Sequence, residues 1–129
     1  MLAKRFRPED LEVINKWGEH YCKAHFSLDA IPKNTFLVYD GEMPVVLGSV
    51  FITDSCFCYM DNVISNPECT AGQKQEALTV MFSALMNAAK IAGMKWWTAC
   101  TNVKEMESFS SQLKVTRRGE GFYWFAGDV

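Results

Sequence analysis

Apolar residues recur along this chain with two periods, and each change of period marks a new element. Leu2 to Phe6 reads as a short strand. Pro8 suits the first turn of a helix, and Glu9 and Asp10 suit its positive end. Leu11, Ile14, Trp17 and Tyr21 then recur at helical spacing as one apolar stripe. The connector "SLDAIPKN" follows, and Pro32 ends any helix before it. "TFLVYD", "GEMP" and "VVLGSVFITD" read as a hairpin, with arms rich in β-branched and aromatic residues and a turn at Asp40-Gly41. "SCFCYMDNVIS" is the next strand, after a second turn near Asp54-Ser55. From Lys74 to Ala92 the period is helical again, with Leu78, Met81, Phe82, Leu85 and Ala89 as its buried face and Gly93 as its stop. "KWWTACTN" is a strand. Lys104 to Leu113 is a shorter helix with Met106, Phe109 and Leu113 inward, and "VTRRGEGFYWFAG" closes as a hairpin around Gly119 to Gly121.

The order is strand, helix, three strands, long helix, strand, short helix, two strands. That predicts an α/β (α+β) chain with one mostly antiparallel sheet of about seven strands and a central strand–helix–strand crossover. A ligand is expected outside the carboxyl end of the crossover's first strand. That end, Ile64 to Asn66, leads into "NPECTAGQKQEAL", the entry to the long helix. Helix openings of this kind cradle phosphates in many folds.

The bulk properties narrow the picture. At 129 residues and 49% hydrophobic, residues 1–129 are expected to form one domain whose core needs neither disulfides nor metal. A net charge of -2 argues against general nucleic-acid binding. No apolar run reaches a membrane span, and "MLAKRFRPED" is too charged for a signal peptide, so a cytoplasmic protein is expected. Cys22, Cys56, Cys58, Cys69 and Cys100 read as reduced packing thiols. The two histidines, His20 and His25, lie far from them in sequence, so no metal site is assigned. Trp96 and Trp97 must face opposite sides of their strand, one toward the core.

Element order and lengths resemble the GNAT superfamily of N-acetyltransferases over nearly the whole chain. "DGEMPVVLGSVFI" looks like the family's second hairpin, with Gly48 where a glycine is common. "MDNVISNP" resembles the fourth strand, including Pro67 just after it. "AAKIAGMKWWTACTN" is the nearest match, with Ala89, Gly93 and Met94 at the helix end and a strand running to Asn102. The resemblance implies a GNAT-like twisted sheet with helices on both faces. It also implies acetyl-CoA as cofactor, bound by the fourth strand and the next helix, and an amine as acceptor.

Carried over residue by residue, the resemblance implies cofactor binding by Val63, Ser65, Gly72, Gln73, Lys74, Gln75 and Asn102. It implies Asp61 as base, and places Ser110 where family members often carry an acidic tyrosine. The implied chemistry is direct attack of the amine on the thioester. The family's phosphate loop has Gln or Arg, two residues, Gly, one residue, then Gly or Ala. Counting back from Ala89 puts Gln73 first and Glu76 and Leu78 at the small positions. Counting forward from Pro67 puts Thr70 first, then Gln73 and Gln75. Neither register keeps both glycines, so the loop is degenerate, and Glu76 would add negative charge beside a phosphate.

Two functions follow. One is an acyl-CoA-dependent N-acetyltransferase of unknown amine. The other is a catalytically inactive GNAT-fold protein that binds a protein partner or assembles with itself. The chain also looks somewhat like the degenerate GNAT-like internal proteins of short-tailed phages, which would place it in host cytoplasm or virion. An unrelated α+β binding module is a third reading.

Overall fold

The computed structural model describes residues 1–101 and 123–129. Its strands are β1 (Leu2–Arg5), β2 (Thr35–Asp40), β3 (Met43–Ile52), β4 (Phe57–Ser65), β5 (Trp96–Thr101) and β6 (Tyr123–Asp128). They lie side by side in chain order in one sheet. All neighbours are antiparallel except β4 and β5, which run parallel. Helix α1 (Leu11–His20) joins β1 to β2, and helix α2 (Ala71–Ile91) makes the crossover from β4 to β5. The expected mixed α+β sheet is therefore present, with six described strands. The seventh expected strand and the helix expected over Lys104 to Leu113 fall outside the described residues.

A single 3-10 turn, Pro8–Asp10, leads into α1. Asp10 is buried there, and its carboxylate accepts hydrogen bonds from the Arg7 amide (2.8 Å) and the Tyr39 hydroxyl (3.2 Å). This pins the helix start to β2. Ile14 and Trp17 are buried as expected, but Tyr21 leaves the apolar stripe. The chain turns left-handed at Cys22 (φ 55°), and the Lys23 amide closes back on the Gly18 carbonyl at 2.8 Å. That is a Schellman-type stop, which swings Tyr21 out to solvent.

Helix α2 begins three residues before the expected Lys74, because Thr70 caps it. It ends as expected, with Gly93 left-handed (φ 79°) and the Met94 amide bonded to the Ala89 carbonyl at 3.0 Å. Its buried face is rotated from the expected one. Ala77, Met81, Leu85, Ala88 and Ala89 are buried, whereas Leu78 and Phe82 are only half-buried. Small residues let the helix sit close to the sheet. At Gly48 an added Cβ would lie 2.2 Å from the Met81 sulfur, so a side chain here would make the end of Met81 shift.

The helices cover opposite faces. On the α2 face, Val46, Val50, Cys58, Met60, Met81, Leu85 and Trp97 form one cluster. On the α1 face, Ile14, Trp17, Leu37, Leu47 and Ile64 form another. Trp97 is buried edge-to-face against Phe82, with ring centroids 5.2 Å apart, while Trp96 points outward. The expectation of packing thiols holds for Cys58 and Cys69, which are buried. It fails for Cys22, in the left-handed turn, and for Cys56, just before β4, both of which are exposed. Among the described residues no helix is long and apolar enough to cross a membrane.

Candidate functional site

Strand β4 changes character halfway along. From Cys58 to Met60 it is paired on both sides, with β3 and with β5, and Phe57 is paired with β5. Its parallel pairing with β5 ends at Met60↔Ala99. Beyond that point β4 continues to Ser65 against β3, while β5 continues to Thr101 against β6. The edge of β4 from Asp61 to Ser65 therefore lacks a strand partner among the described residues. Its backbone groups face the gap that opens between the two strands.

A bulge coincides with this parting. On β3, one residue separates Leu47 from Ser49. On β4, two separate their partners, Ile64 and Asp61. Asn62 occupies the extra position with φ 57°, a left-handed conformation that asparagine tolerates better than most side chains. The extra residue reverses the faces of the strand. Met60 packs on the α2 side, and Ile64, four residues on, packs on the α1 side. In a regular strand both would share one face.

Side chains hold the bulge. The Asn62 amide group donates to the Ser49 hydroxyl (3.4 Å), and Ser49 lies 2.7 Å from the Thr35 hydroxyl. Thr35 in turn donates to the Pro32 carbonyl at 2.7 Å. Ser49 and Thr35 are buried, so the relay ties the bulge through β3 and β2 to the segment before β2. A buried hydroxyl left without a partner would cost about 1–3 kcal/mol, which favours keeping the relay whole.

The next segment carries the chain from β4 into α2. Asn66 is buried and shapes the turn. Its side chain donates to the Pro44 carbonyl (3.0 Å) and accepts from the Glu68 amide (3.0 Å), and its own carbonyl accepts from the Cys69 amide (3.3 Å). At the helix start, Thr70 and Gln73 form a capping box. The Gln73 amide donates to the Thr70 hydroxyl (3.2 Å), and the Thr70 amide donates to the Gln73 side chain (3.0 Å). Gln73 also donates to the Asp40 carboxylate at 3.1 Å, joining the β2–β3 turn to the helix. The Lys74 amide is already bonded to the Thr70 carbonyl. Only the Ala71 and Gly72 amides, at the first two helical positions, keep no intrahelical acceptor. Burial pushes the Cys69 thiol up. Lys74 pulls it down, and Asp40 and Glu68 push it up further, so charges of both signs surround this helix end.

The sequence-derived site residues fall as follows. Asp61 is exposed at the start of the open edge, opposite Ser49, and its carboxylate accepts from the Asn62 amide at 2.7 Å. Val63 packs against the α2-side cluster. Ser65 ends the strand, 3.4 Å from the Tyr21 hydroxyl. Gly72 and Gln75 are exposed on the first turns of α2, and Gln73 and Lys74 are half-buried there. Gly72 has open space where a Cβ would go. The structure thus brings Asp61, Val63 and Ser65 onto one edge and Gly72 to Gln75 onto the helix that follows it. Asn102 and Ser110 lie outside the described residues.

Sequence reasoning missed Asn62, Ser49, Thr35, Asn66, Asp40 and Tyr21. Only the capping box had a local signature, Thr70 and Gln73 at the spacing of such boxes. Tyr21 was taken into the apolar stripe because it follows Trp17 by one helical turn, although its hydroxyl is a polar tip.

No protein-family model matches this sequence, and none of the curated proteins matches it. Solved structures do. N-acetylglutamate synthase from Neisseria gonorrhoeae, complexed with coenzyme A and L-arginine, superposes with a TM-score of 0.78 at 9% identity over 99% of this chain and 33% of its own. The aminoglycoside 6'-N-acetyltransferase from Enterococcus faecium gives 0.76 at 9% identity over 99% of this chain and 97% of its own. Rv2747 from Mycobacterium tuberculosis, in complex with CoA and NLQ, gives 0.73 at 15% identity over 92% and 74%. The fold of this chain is the GNAT N-acetyltransferase fold.

Proposed function

We propose that this chain, with the GNAT fold as its frame, is an acyl-CoA-dependent N-acetyltransferase acting on an amine. One observation carries the reading. The parallel strands β4 and β5 part after Met60↔Ala99 at a left-handed bulge, leaving the edge from Asp61 to Ser65 open just before a helix N-terminus. Solved neighbours of the same fold contain coenzyme A, which makes acetyl-CoA the donor to test first.

The residues fit one end of that donor. The unpaired backbone of β4 offers amides and carbonyls to an extended arm carrying amide groups, in the manner of an added strand. The donor supplies an activated acyl thioester when bound. Asp61 is the base: an exposed carboxylate beside the open edge, placed to accept a proton from an incoming ammonium. Ser65, with Tyr21, orients what enters at the strand's end. Val63 walls the edge from the α2 side. Asn102 and Ser110 keep the roles that the family resemblance implies for them.

The residues do not fit the other end equally. Gln73, Lys74 and Gln75 sit where a diphosphate would be held, but the amides of Gln73 and Lys74 are already engaged. This same observation favours a second reading, a catalytically inactive GNAT-fold protein that binds a protein partner.

Calorimetric titration with acetyl-CoA decides between them. Saturable binding in the micromolar range is expected. Asp61→Asn should leave that binding intact and lower the rate of thiol release in the presence of an accepted amine. No heat at millimolar acetyl-CoA, at two temperatures on a folded sample, sinks the transferase reading.

A further inference from the structure

The start of α2 is closed by the chain itself, and this bears on the class of donor the site takes. A diphosphate is held in such folds by consecutive free amides and a favourable local charge. Here the Glu68 amide is given to the Asn66 side chain, the Cys69 amide to the Asn66 carbonyl, and the Thr70 amide to Gln73. The Gln73 amide is given to the Thr70 hydroxyl, and the Lys74 amide to the Thr70 carbonyl. Among the described residues two amides remain without an acceptor, Ala71 and Gly72. Charge does not replace what is missing. Asp40 is drawn to this end by Gln73, and Glu68 is exposed beside it, against Lys74 among the described residues. A diphosphate arriving here would displace a capping box and meet two carboxylates, Asp40 and Glu68. Among the described residues nothing comparable blocks the open edge of β4.

We infer that the site takes pantetheine thioesters as a class, recognising the arm along Asp61 to Ser65 and gaining little from the nucleotide and its diphosphate. This rests on the transferase reading above and specifies its substrate. It predicts that a donor stripped of the nucleotide, S-acetylpantetheine, binds about as well as acetyl-CoA.

The test is a pair of calorimetric titrations of the full chain, with acetyl-CoA and with S-acetylpantetheine, in low and high salt. Dissociation constants within about tenfold of each other support the inference, since tenfold is worth about 1.4 kcal/mol and a working phosphate loop should exceed that. S-acetylpantetheine should change little with salt, because the arm carries no charge, and acetyl-CoA should bind no more weakly in high salt, because salt screens the carboxylates at this helix end. Acetyl-CoA binding more than about tenfold tighter, with the advantage fading in salt, overturns the inference and leaves the transferase reading standing. Binding of neither ligand overturns both. Asp40→Asn adds an independent arm. It should tighten acetyl-CoA and leave S-acetylpantetheine unchanged; an equal or absent effect on the two ligands counts against the inference.

Discussion

The two halves of β4 belong to one strand and do opposite things. Phe57 to Met60 is a wall: paired with β5 throughout and with β3 from Cys58 on, with Cys58 and Met60 buried under α2. Asp61 to Ser65 is an opening: paired on one side, with Ile64 turned to the other face under α1. One extra residue separates them. A bulge increases local twist and bends its strand, so β4 and β5 cannot stay in register past it. The site is thus made by interrupting a sheet, and the interruption is held by a buried relay from Asn62 through Ser49 and Thr35.

The comparison breaks most visibly in the core. Met60→Ala and Ile64→Ala should each cost about 2–5 kcal/mol in urea unfolding, as large-to-small changes in a packed interior. The double variant should be additive within about 0.5 kcal/mol, because the bulge sends the two side chains into different clusters. A coupling well above that would place them on one face and remove the bulge's role.

Asn62 comes next. Asn62→Val puts a β-branched residue at positive φ and should cost about 1–3 kcal/mol. Acetyl-CoA affinity should fall with it. Asn62→Gly keeps the backbone conformation but loses the bond to Ser49, so it should cost about 1 kcal/mol, less than the valine variant, and retain binding. Equal behaviour of the two variants in paired denaturation and titration would show that the left-handed residue does not matter.

The smallest effect concerns the thiols. Burial raises the Cys58 and Cys69 thiols above their ordinary range. A raised thiol stays protonated, so its contribution to stability is complete below the ordinary thiol range and is lost as pH rises through the raised folded value. Alkylation of the folded chain at neutral pH should therefore mark the exposed Cys22 and Cys56 and spare Cys58 and Cys69. Mass mapping of the labelled peptides checks this, and labelling of Cys69 at the rate of Cys56 would show that the turn before α2 opens readily.

Much of the fold was legible. The hairpin at Asp40-Gly41, the long helix, its stop at Gly93 and the outward and inward faces of Trp96 and Trp97 all follow from local pattern. The candidate site was placed from the same pattern, beyond the carboxyl end of the crossover's first strand. Less of the site itself was legible. Asp61, Val63 and Ser65 were chosen by position along β4, and alternation alone would have put Asp61, Val63 and Ser65 on one face. The bulge breaks that count. The start of α2 was set too late because its cap, Thr70, was read as loop.

The sequence by itself determined which segments become strands and helices, because side-chain spacing and chain-stopping residues act over a few positions. It also determined that Gly48 is small. What a larger residue there would displace was decided by Met81, thirty-three residues away, packing onto β3. Only the tertiary structure decided where β4 leaves β5, which face Ile64 takes, and that the amides at the start of α2 are spent on Thr70, Gln73 and Asn66. Those outcomes depend on partners distant in sequence, and a hydrogen bond between Gln73 and Asp40 exists only once the sheet has brought them together.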